Sequence, residues 1–106
     1  MGGRPMSGRK PVRLAKRVQS DLDEIVLAIA RRSSTRAALR HADELVAKCY
    51  GLAEFPMSCR LRPEYGEGIR VAIHKSHVIF FRILPRMVRV ERIIYGARDL
   101  PRALGE

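Results

Sequence analysis

The sequence predicts an α+β fold of two layers, in which an antiparallel helical hairpin packs on one face of an antiparallel β-sheet. Two amphipathic helical patterns follow each other between residues 20 and 52, and three strand-like segments follow between residues 68 and 95. A short strand-like segment precedes the helices, so the predicted order is β-α-α-β-β-β. Because the helices are consecutive, their apolar stripes are expected to share one face of the sheet.

The composition fits one small globular domain. The chain has 106 residues, of which 46% are hydrophobic and 30% charged, a balance typical of folded proteins. We find no apolar run near the roughly 20 residues that span a bilayer, and no secretory signal pattern. Cys49 and Cys59 are too few for a disulfide framework. These observations argue against a secreted or membrane-spanning protein, and we expect a cytoplasmic one.

The charge of the chain indicates a partner of opposite sign. Lysine and arginine number 21 against 11 acidic residues, which gives a formal net charge of +10. Such a field favours nucleic acid, an acidic protein segment or an anionic membrane surface. Most of the basic residues are arginines, whose planar guanidinium pairs equally well with carboxylates and phosphates. The charge alone leaves these partners open.

The N-terminal region divides at residue 12. Residues 1–11 are rich in glycine and proline, which predicts a flexible basic leader, followed by a single domain over residues 12–106. Residues 12–18 alternate, with Arg13 and Arg17 on the polar side. Charge on both faces of this segment, including Lys16 among the apolar positions, predicts a strand at the edge of the sheet.

Both helices have recognisable ends. Ser20 followed by Asp23 resembles a capping box, which predicts that the first helix starts at Ser20 and ends at Arg31 and Arg32. Its apolar stripe contains Leu22, Ile25, Val26 and Ile29. Ser34 or Thr35 is predicted to cap the second helix. The stripe of the second helix contains Ala38, Leu39, Ala42, Leu45, Val46, Cys49 and Leu52.

The second half of the chain reads as a loop followed by three strands. Residues 55–68 contain prolines and glycines without a clean period, which predicts a surface loop. Residues 69–74 alternate, and Lys75 with Ser76 supplies a tight reversal. Residues 77–84 are apolar on both faces, which predicts a central strand covered on both sides. Residues 87–95 form the last predicted strand, which Gly96 ends.

The spacing of metal ligands and nucleophiles predicts neither a metal site nor another cofactor. Cys49 and Cys59 are ten residues apart, and His74 and His77 flank a predicted turn, whereas a zinc site commonly uses closely spaced ligand pairs. We also find no strand–turn–helix nucleophile motif. A set of arginines on adjacent predicted strands is the stronger candidate for a binding surface, for a phosphodiester or an acidic protein segment. These arginines are Arg70, Arg82, Arg89 and Arg92.

Several segments, in order, resemble the ParE toxins of the RelE/ParE superfamily of type II toxin–antitoxin systems. They are DLDEIVLAIA, LAEFP with RPEYGEGIR, GIRVAIHKSHVIFFRI, and the terminal VRVERIIYGARDLPRALGE. The resemblance covers roughly residues 12–104. It implies the same fold that the element pattern predicts, a helical hairpin on an antiparallel sheet.

The resemblance implies one of two activities. The RelE branch contains ribosome-dependent mRNA endoribonucleases, and the ParE branch contains inhibitors of DNA gyrase without known nuclease activity. This chain departs from the nuclease pattern at Val78 and Ile94, where nucleases often have arginine and histidine, and isoleucine cannot transfer a proton. We therefore expect a gyrase inhibitor that arrests growth and is no enzyme. The alternatives are a ribonuclease and a family member without an active target surface. The ribonuclease would use Lys75, Arg82, Arg92 and Tyr95.

The resemblance also implies partners. A cognate ParD-like antitoxin is expected to lay an acidic amphipathic segment beside the helical hairpin, with its carboxylates on arginines of the rim. The candidates for that contact are Arg13, Arg17, Arg31, Arg36 and Arg70. Arg98 and Asp99 of the C-terminal segment are candidates for contact with gyrase. Operator DNA is expected to be bound only through the antitoxin.

Overall fold

The computed structural model describes residues 10–96 and confirms the predicted α+β class and element order. Its helices and strands are β1 (Val12–Leu14), α1 (Lys16–Arg32), α2 (Thr35–Gly51), β2 (Ile69–His74), β3 (His77–Ile83) and β4 (Val88–Tyr95). Two short 3₁₀ turns, Pro56–Ser58 and Pro63–Tyr65, lie within the predicted loop. Residues 1–9 of the predicted leader lie outside the described residues.

The sheet is mixed, whereas the sequence predicted an antiparallel one. Its strand order is β1-β4-β3-β2, with β2, β3 and β4 antiparallel to their neighbours and β1 parallel to β4. The long connection from β1 through both helices permits a parallel pairing, which a tight hairpin cannot make. Val88 donates its amide to Pro11 O at 2.9 Å, and Ala15 donates to Val90 O at 2.8 Å. The prediction that the first strand lies at the edge is confirmed.

Helix α1 begins at Lys16, so the predicted start at Ser20 is wrong. Its N-cap residue, Ala15, contributes no side-chain hydrogen bond. Ser20 therefore lies inside the helix, and the carboxylate of Asp21 is buried against the sheet instead of lying at the helix terminus. The position of Asp21 is therefore explained by its contact with the sheet and not by a capping role. The predicted cap of α2 is confirmed at Ser34, whose hydroxyl accepts the Ala37 amide at 3.0 Å.

The main core lies between the helical hairpin and one face of the sheet. Its buried residues come from both helices and all four strands, and include Leu22, Leu45, Ile79, Phe81 and Val90. The predicted stripes are largely confirmed, but Leu39 is 52% exposed. Leu39 therefore lies outside the contact face of α2. Among the described helices, none has the length and apolar character needed to cross a membrane.

The outer face of the sheet carries a smaller apolar cluster, which confirms that β3 is covered on both sides. Ile69 and Phe80 are buried there. The Tyr65 ring meets Phe80 edge to face, with centroids 5.4 Å apart. The cover on this side thus comes from a loop residue, while the helices cover the other side.

Candidate functional site

The three histidines of the chain converge at one end of the helix–sheet interface. His74 and His77 face each other across the turn between β2 and β3. Lys75 permits this tight reversal by adopting a positive φ of 56°. His41 lies above them on α2, with Nε2 3.0 Å from Nδ1 of His77. Its ring centroid is 4.9 Å from that of His77 and 5.6 Å from that of His74.

Glu44 completes this cluster one helical turn after His41. Its Oε1 lies 3.0 Å from Nε2 of His74, 3.1 Å from Nζ of Lys75 and 3.9 Å from Nδ1 of His41. Hydrogen bonds from His74 and Lys75 lower the pKa of Glu44, because they stabilise the ionised carboxylate. We call His41, Glu44, His74 and His77 the histidine cluster. No local pattern in the sequence predicts this cluster, because His41 and Glu44 are distant in sequence from the turn.

Two imidazoles of the histidine cluster, those of His41 and His77, are held in the neutral form by a lowered pKa. Burial, followed by the charges of His41, His74 and Arg32, lowers the pKa of His77 to about 4. Burial and the charges of His74 and Lys75 also lower the pKa of His41, with Glu44 opposing them. Both rings are therefore expected to be uncharged at neutral pH. In that state one imidazole donates and the other accepts in the bond between His41 and His77.

A cavity of about 390 Å³ opens beside the histidine cluster. Tyr95 is 63% exposed at its rim, and its ring lies edge-on to His77 with centroids 5.4 Å apart. The charged side chains that line the cavity are Arg32, Arg40, Glu44 and Lys75. The neutral imidazoles and the carboxylate can bind a metal ion or accept a proton, and the cations can bind an anion.

The structure brings together some of the residues predicted for the ribonuclease alternative. Lys75 and Tyr95 line the cavity beside the histidines, and Arg92 lines an adjacent cavity of about 250 Å³ that His77 and Tyr95 share. Arg82 projects from the opposite face of the sheet, because side chains alternate along β3. There its guanidinium donates to Glu67 O and Glu91 Oε2, both at 2.9 Å. The four residues do not form one site.

The predicted arginine surface of the sheet is divided as well. Arg82 and Arg89 share the carboxylate of Glu91, which Arg89 Nε contacts at 2.9 Å. Arg92 instead binds Asp21 of α1. It follows a bulge in β4 at which Glu91 has no register partner between Val90 and Arg92, and such a bulge turns the strand locally. The fourth arginine, Arg70, donates to Cys59 O at 2.6 Å. The four arginines therefore lie in different environments and do not form one continuous surface.

The arginines predicted to contact an antitoxin lie in different environments. Arg13 and Arg17 are exposed around the start of α1, and Arg31 and Arg36 are exposed around the turn between the helices. Arg70 is only partly exposed. The predicted target residues Arg98 and Asp99 lie outside the described residues.

A second, partly apolar groove lies on the other side of Glu44 and His74, which help to line it. A cavity of about 590 Å³ lies between the C-terminal half of α2 and β2. Phe55 at its rim is 75% exposed, and the neighbouring Met57 is 69% exposed. Apolar side chains this accessible, next to a groove, are typical of interaction surfaces. We call this the Phe55 groove.

Comparisons with known proteins identify relatives over nearly the whole described chain. Residues 12–100 match the model of the family described as the ParE toxin of the type II toxin–antitoxin system parDE. Toxin ParE1 of Caulobacter vibrioides is 31% identical over 96 residues, which cover 91% of this chain and 99% of that protein.

Two solved structures share the fold. A chain of the chromosomal ParDE system from P. aeruginosa aligns with a TM-score of 0.76 and 18% identity, over 86% of this chain and 100% of that one. A chain of the RelBE2 toxin–antitoxin complex from Mycobacterium tuberculosis aligns with a TM-score of 0.59 and 20% identity, over 84% and 95% respectively. The helical hairpin on a mixed sheet is thus the architecture of these two chains.

Proposed function

Because the chain belongs to the ParE toxin family of type II toxin–antitoxin systems, we propose that it inhibits DNA gyrase and is neutralised by a cognate ParD-like antitoxin. The match of residues 12–100 to the ParE family model carries this proposal. Inhibition of gyrase would block replication and arrest growth. The protein then acts by binding, and its surface chemistry matters more than a catalytic group.

The surface of the helical hairpin supports an antitoxin partner. The Phe55 groove offers apolar side chains to an amphipathic helix, and Lys48 in its lining can meet a carboxylate of that helix. The exposed Arg31 and Arg36 lie at the other end of α2 and can meet acidic residues farther along the antitoxin. This combination of an apolar groove and a charged rim is a common mode of peptide recognition. The net charge of +10 would also accelerate association with an acidic segment.

The ion pairs of the sheet support a binding protein over an enzyme. Arg82 and Arg92 make hydrogen bonds with Glu91 and Asp21 within the fold. A guanidinium that stabilises a charged transition state must instead point at the reacting group. Two of the four candidate catalytic residues are therefore committed to structural contacts.

A supercoiling assay tests the proposal. Purified toxin is added to DNA gyrase with relaxed plasmid, and the supercoiled product and trapped cleavage complexes are measured on gels. We expect the toxin alone to abolish supercoiling. Toxin that has first been mixed with its antitoxin should leave supercoiling unchanged. Normal supercoiling in the presence of excess toxin that still arrests growth would exclude gyrase as the target. A chain that causes no growth arrest would instead be an inactive family member.

Ribosome-dependent cleavage of mRNA is the second candidate, and the cavity beside the histidines is the observation that favours it. His77, Lys75 and Tyr95 line that cavity together. A neutral imidazole can accept the proton of an attacking 2′-hydroxyl, and Lys75 can stabilise the charge on the phosphate. When His77 donates its Nδ1 proton to His41 Nε2, the lone pair on Nε2 of His77 can serve as the general base that the sequence did not reveal.

Primer extension on translated transcripts distinguishes the two candidates, because only the ribonuclease cuts at positions set by codons. In that case Tyr95→Phe should abolish cutting. Arg82→Ala, on the opposite face of the sheet, should leave cutting in place, although the sequence alone grouped the two residues. Under gyrase inhibition neither transcript cleavage nor its dependence on Tyr95 is expected.

A further inference from the structure

We propose that His41, Glu44 and His74 form a binding site for a zinc ion, a property independent of the proposed function. One ligand atom from each residue lies within 4.8 Å of the other two. Nδ1 of His41 is 3.9 Å and Nε2 of His74 is 3.0 Å from Oε1 of Glu44. Tetrahedral zinc with bonds of 2.0–2.1 Å separates its ligands by about 3.4 Å, so torsional adjustments of about 1 Å suffice.

The three ligands project from rigid elements. His41 and Glu44 lie at positions i and i+3 of α2, which places them on one face of that helix. His74 ends β2, and the following turn is held by a hydrogen bond from the Gly96 amide to Ser76 O at 2.9 Å. Two imidazoles and one carboxylate are a ligand set that zinc uses, with a fourth position left open.

His77 supplies the supporting contact that a metal-binding imidazole normally has. Nε2 of His41 lies 3.0 Å from Nδ1 of His77. When His41 donates this hydrogen bond, its proton resides on Nε2, and the lone pair of Nδ1 faces Glu44 and His74. Such a bond fixes the tautomer and ring orientation of a ligand. His77 is thus a positioning residue for the site.

Lys75 competes with the metal. Its ammonium lies 3.1 Å from the same carboxylate oxygen of Glu44 that zinc would use. The Lys75 side chain is 62% exposed, so it can leave Glu44 and regain full hydration at small cost. Removal of this ammonium should therefore strengthen zinc binding. This direction distinguishes a metal site from an anion site in the cavity, which would lose affinity with Lys75.

The test measures zinc binding by the full chain, purified without a polyhistidine tag and freed of metal by a chelator. Zinc ions alone are the probe, titrated in competition with a chromophoric chelator, and Co²⁺ absorption reports the coordination. We expect one zinc per chain. His41→Ala and His74→Ala should each lower the affinity by at least about 100-fold, and His77→Phe by about 10-fold. Asp43 carries an exposed carboxylate on the same helix. Asp43→Asn is therefore the matched control for Glu44→Gln and should leave the zinc affinity unchanged.

Lys75→Gln keeps the test informative if a histidine variant fails to fold, because this side chain is exposed. It should raise the zinc affinity about 10-fold by removing the competing cation. Zinc should also raise the melting temperature of the wild type, and His74→Ala should abolish that shift. The proposal is overturned if zinc does not bind stoichiometrically, if binding survives both histidine variants, or if Lys75→Gln leaves the affinity unchanged or lower.

Discussion

The Asp21 carboxylate of α1 binds the Arg92 guanidinium of β4 through two hydrogen bonds, from Nε to Oδ2 at 2.9 Å and from Nη2 to Oδ1 at 3.0 Å. Oδ2 also accepts the backbone amide of Ile93 at 3.0 Å. β1 ends at Leu14, opposite Val90, so this part of the β4 edge has no strand beside it. There the Asp21 carboxylate accepts a backbone amide that would otherwise face a neighbouring strand. Its bonds to Arg92 and Ile93 hold α1 against the sheet. Its hydrogen bonds raise the pKa of Arg92.

Loss of this pair should destabilise the fold strongly. Asp21 is 7% exposed, so Asp21→Asn would leave the Arg92 charge and one backbone amide poorly compensated in a buried place. We expect the free energy of unfolding to fall by about 3 kcal/mol. Urea denaturation measures it. Asp23→Asn, an exposed residue two positions later, is the control, and an equal loss in both variants would refute the structural role of the pair.

The low pKa of His77 predicts stability that depends on pH. The pKa of His77 is about 4 in the folded protein, against an ordinary value of 6.5. Between these values the unfolded chain binds the proton and the folded chain does not, so stability is complete above about pH 6.5 and falls as the pH decreases. From pH 7 to pH 5 we expect a loss of about 2 kcal/mol.

Urea denaturation in the presence of a chelator, between pH 5 and pH 7, measures this slope. Hydrogen bonds lower the pKa of Glu44 and of Glu64, so these two carboxylates are not expected to produce a slope in that range. His77→Asn should flatten the dependence by more than half. The same slope in the variant and the wild type would assign the effect to other groups.

The two cysteines should differ in reactivity. Cys49 is buried in the core, and burial raises its pKa from 9.0 to about 12, which lowers its thiolate fraction about 1,000-fold. Cys59 is partly exposed. With iodoacetamide at pH 8, mass spectrometry should detect rapid modification of Cys59 and modification of Cys49 only after denaturation. Rapid labelling of Cys49 in the native state would mean that its part of the core opens readily.

The exposed arginines at the turn between the helices should control association with the antitoxin. The double substitution Arg31→Glu and Arg36→Glu reverses the charge at this turn without disturbing the core, because both side chains are exposed. We expect the association rate to fall about 10-fold and to become less sensitive to salt. Surface plasmon resonance at several salt concentrations measures the association rate and its sensitivity to salt. Arg86→Glu, exposed at the turn between β3 and β4, changes the net charge half as much as the double substitution. A change in the logarithm of the association rate that is half as large in this control would show that only the net charge matters.

Local patterns in the sequence were sufficient for the element order and most of the core. The helical spacing that begins at Leu22 and the apolar run around Phe80 and Phe81 both describe segments that are buried as expected. Ser34 could be recognised as a cap because a cap is a contact between neighbours in the chain. The family, too, was accessible from the order of its segments.

Contacts between distant residues were decided only by the tertiary structure. Asp21 has the sequence context of a helix start, yet it binds Arg92, 71 residues away, because the edge of β4 offered a buried amide and a cation. His41 carries no local signal, and only the packing of α2 over the turn between β2 and β3 places it beside His77. The parallel pairing of β1 with β4 likewise depends on where the chain re-enters the sheet after the two helices. Short-range periodicity encodes burial and local geometry, whereas the partner of a buried charge or imidazole depends on the whole fold.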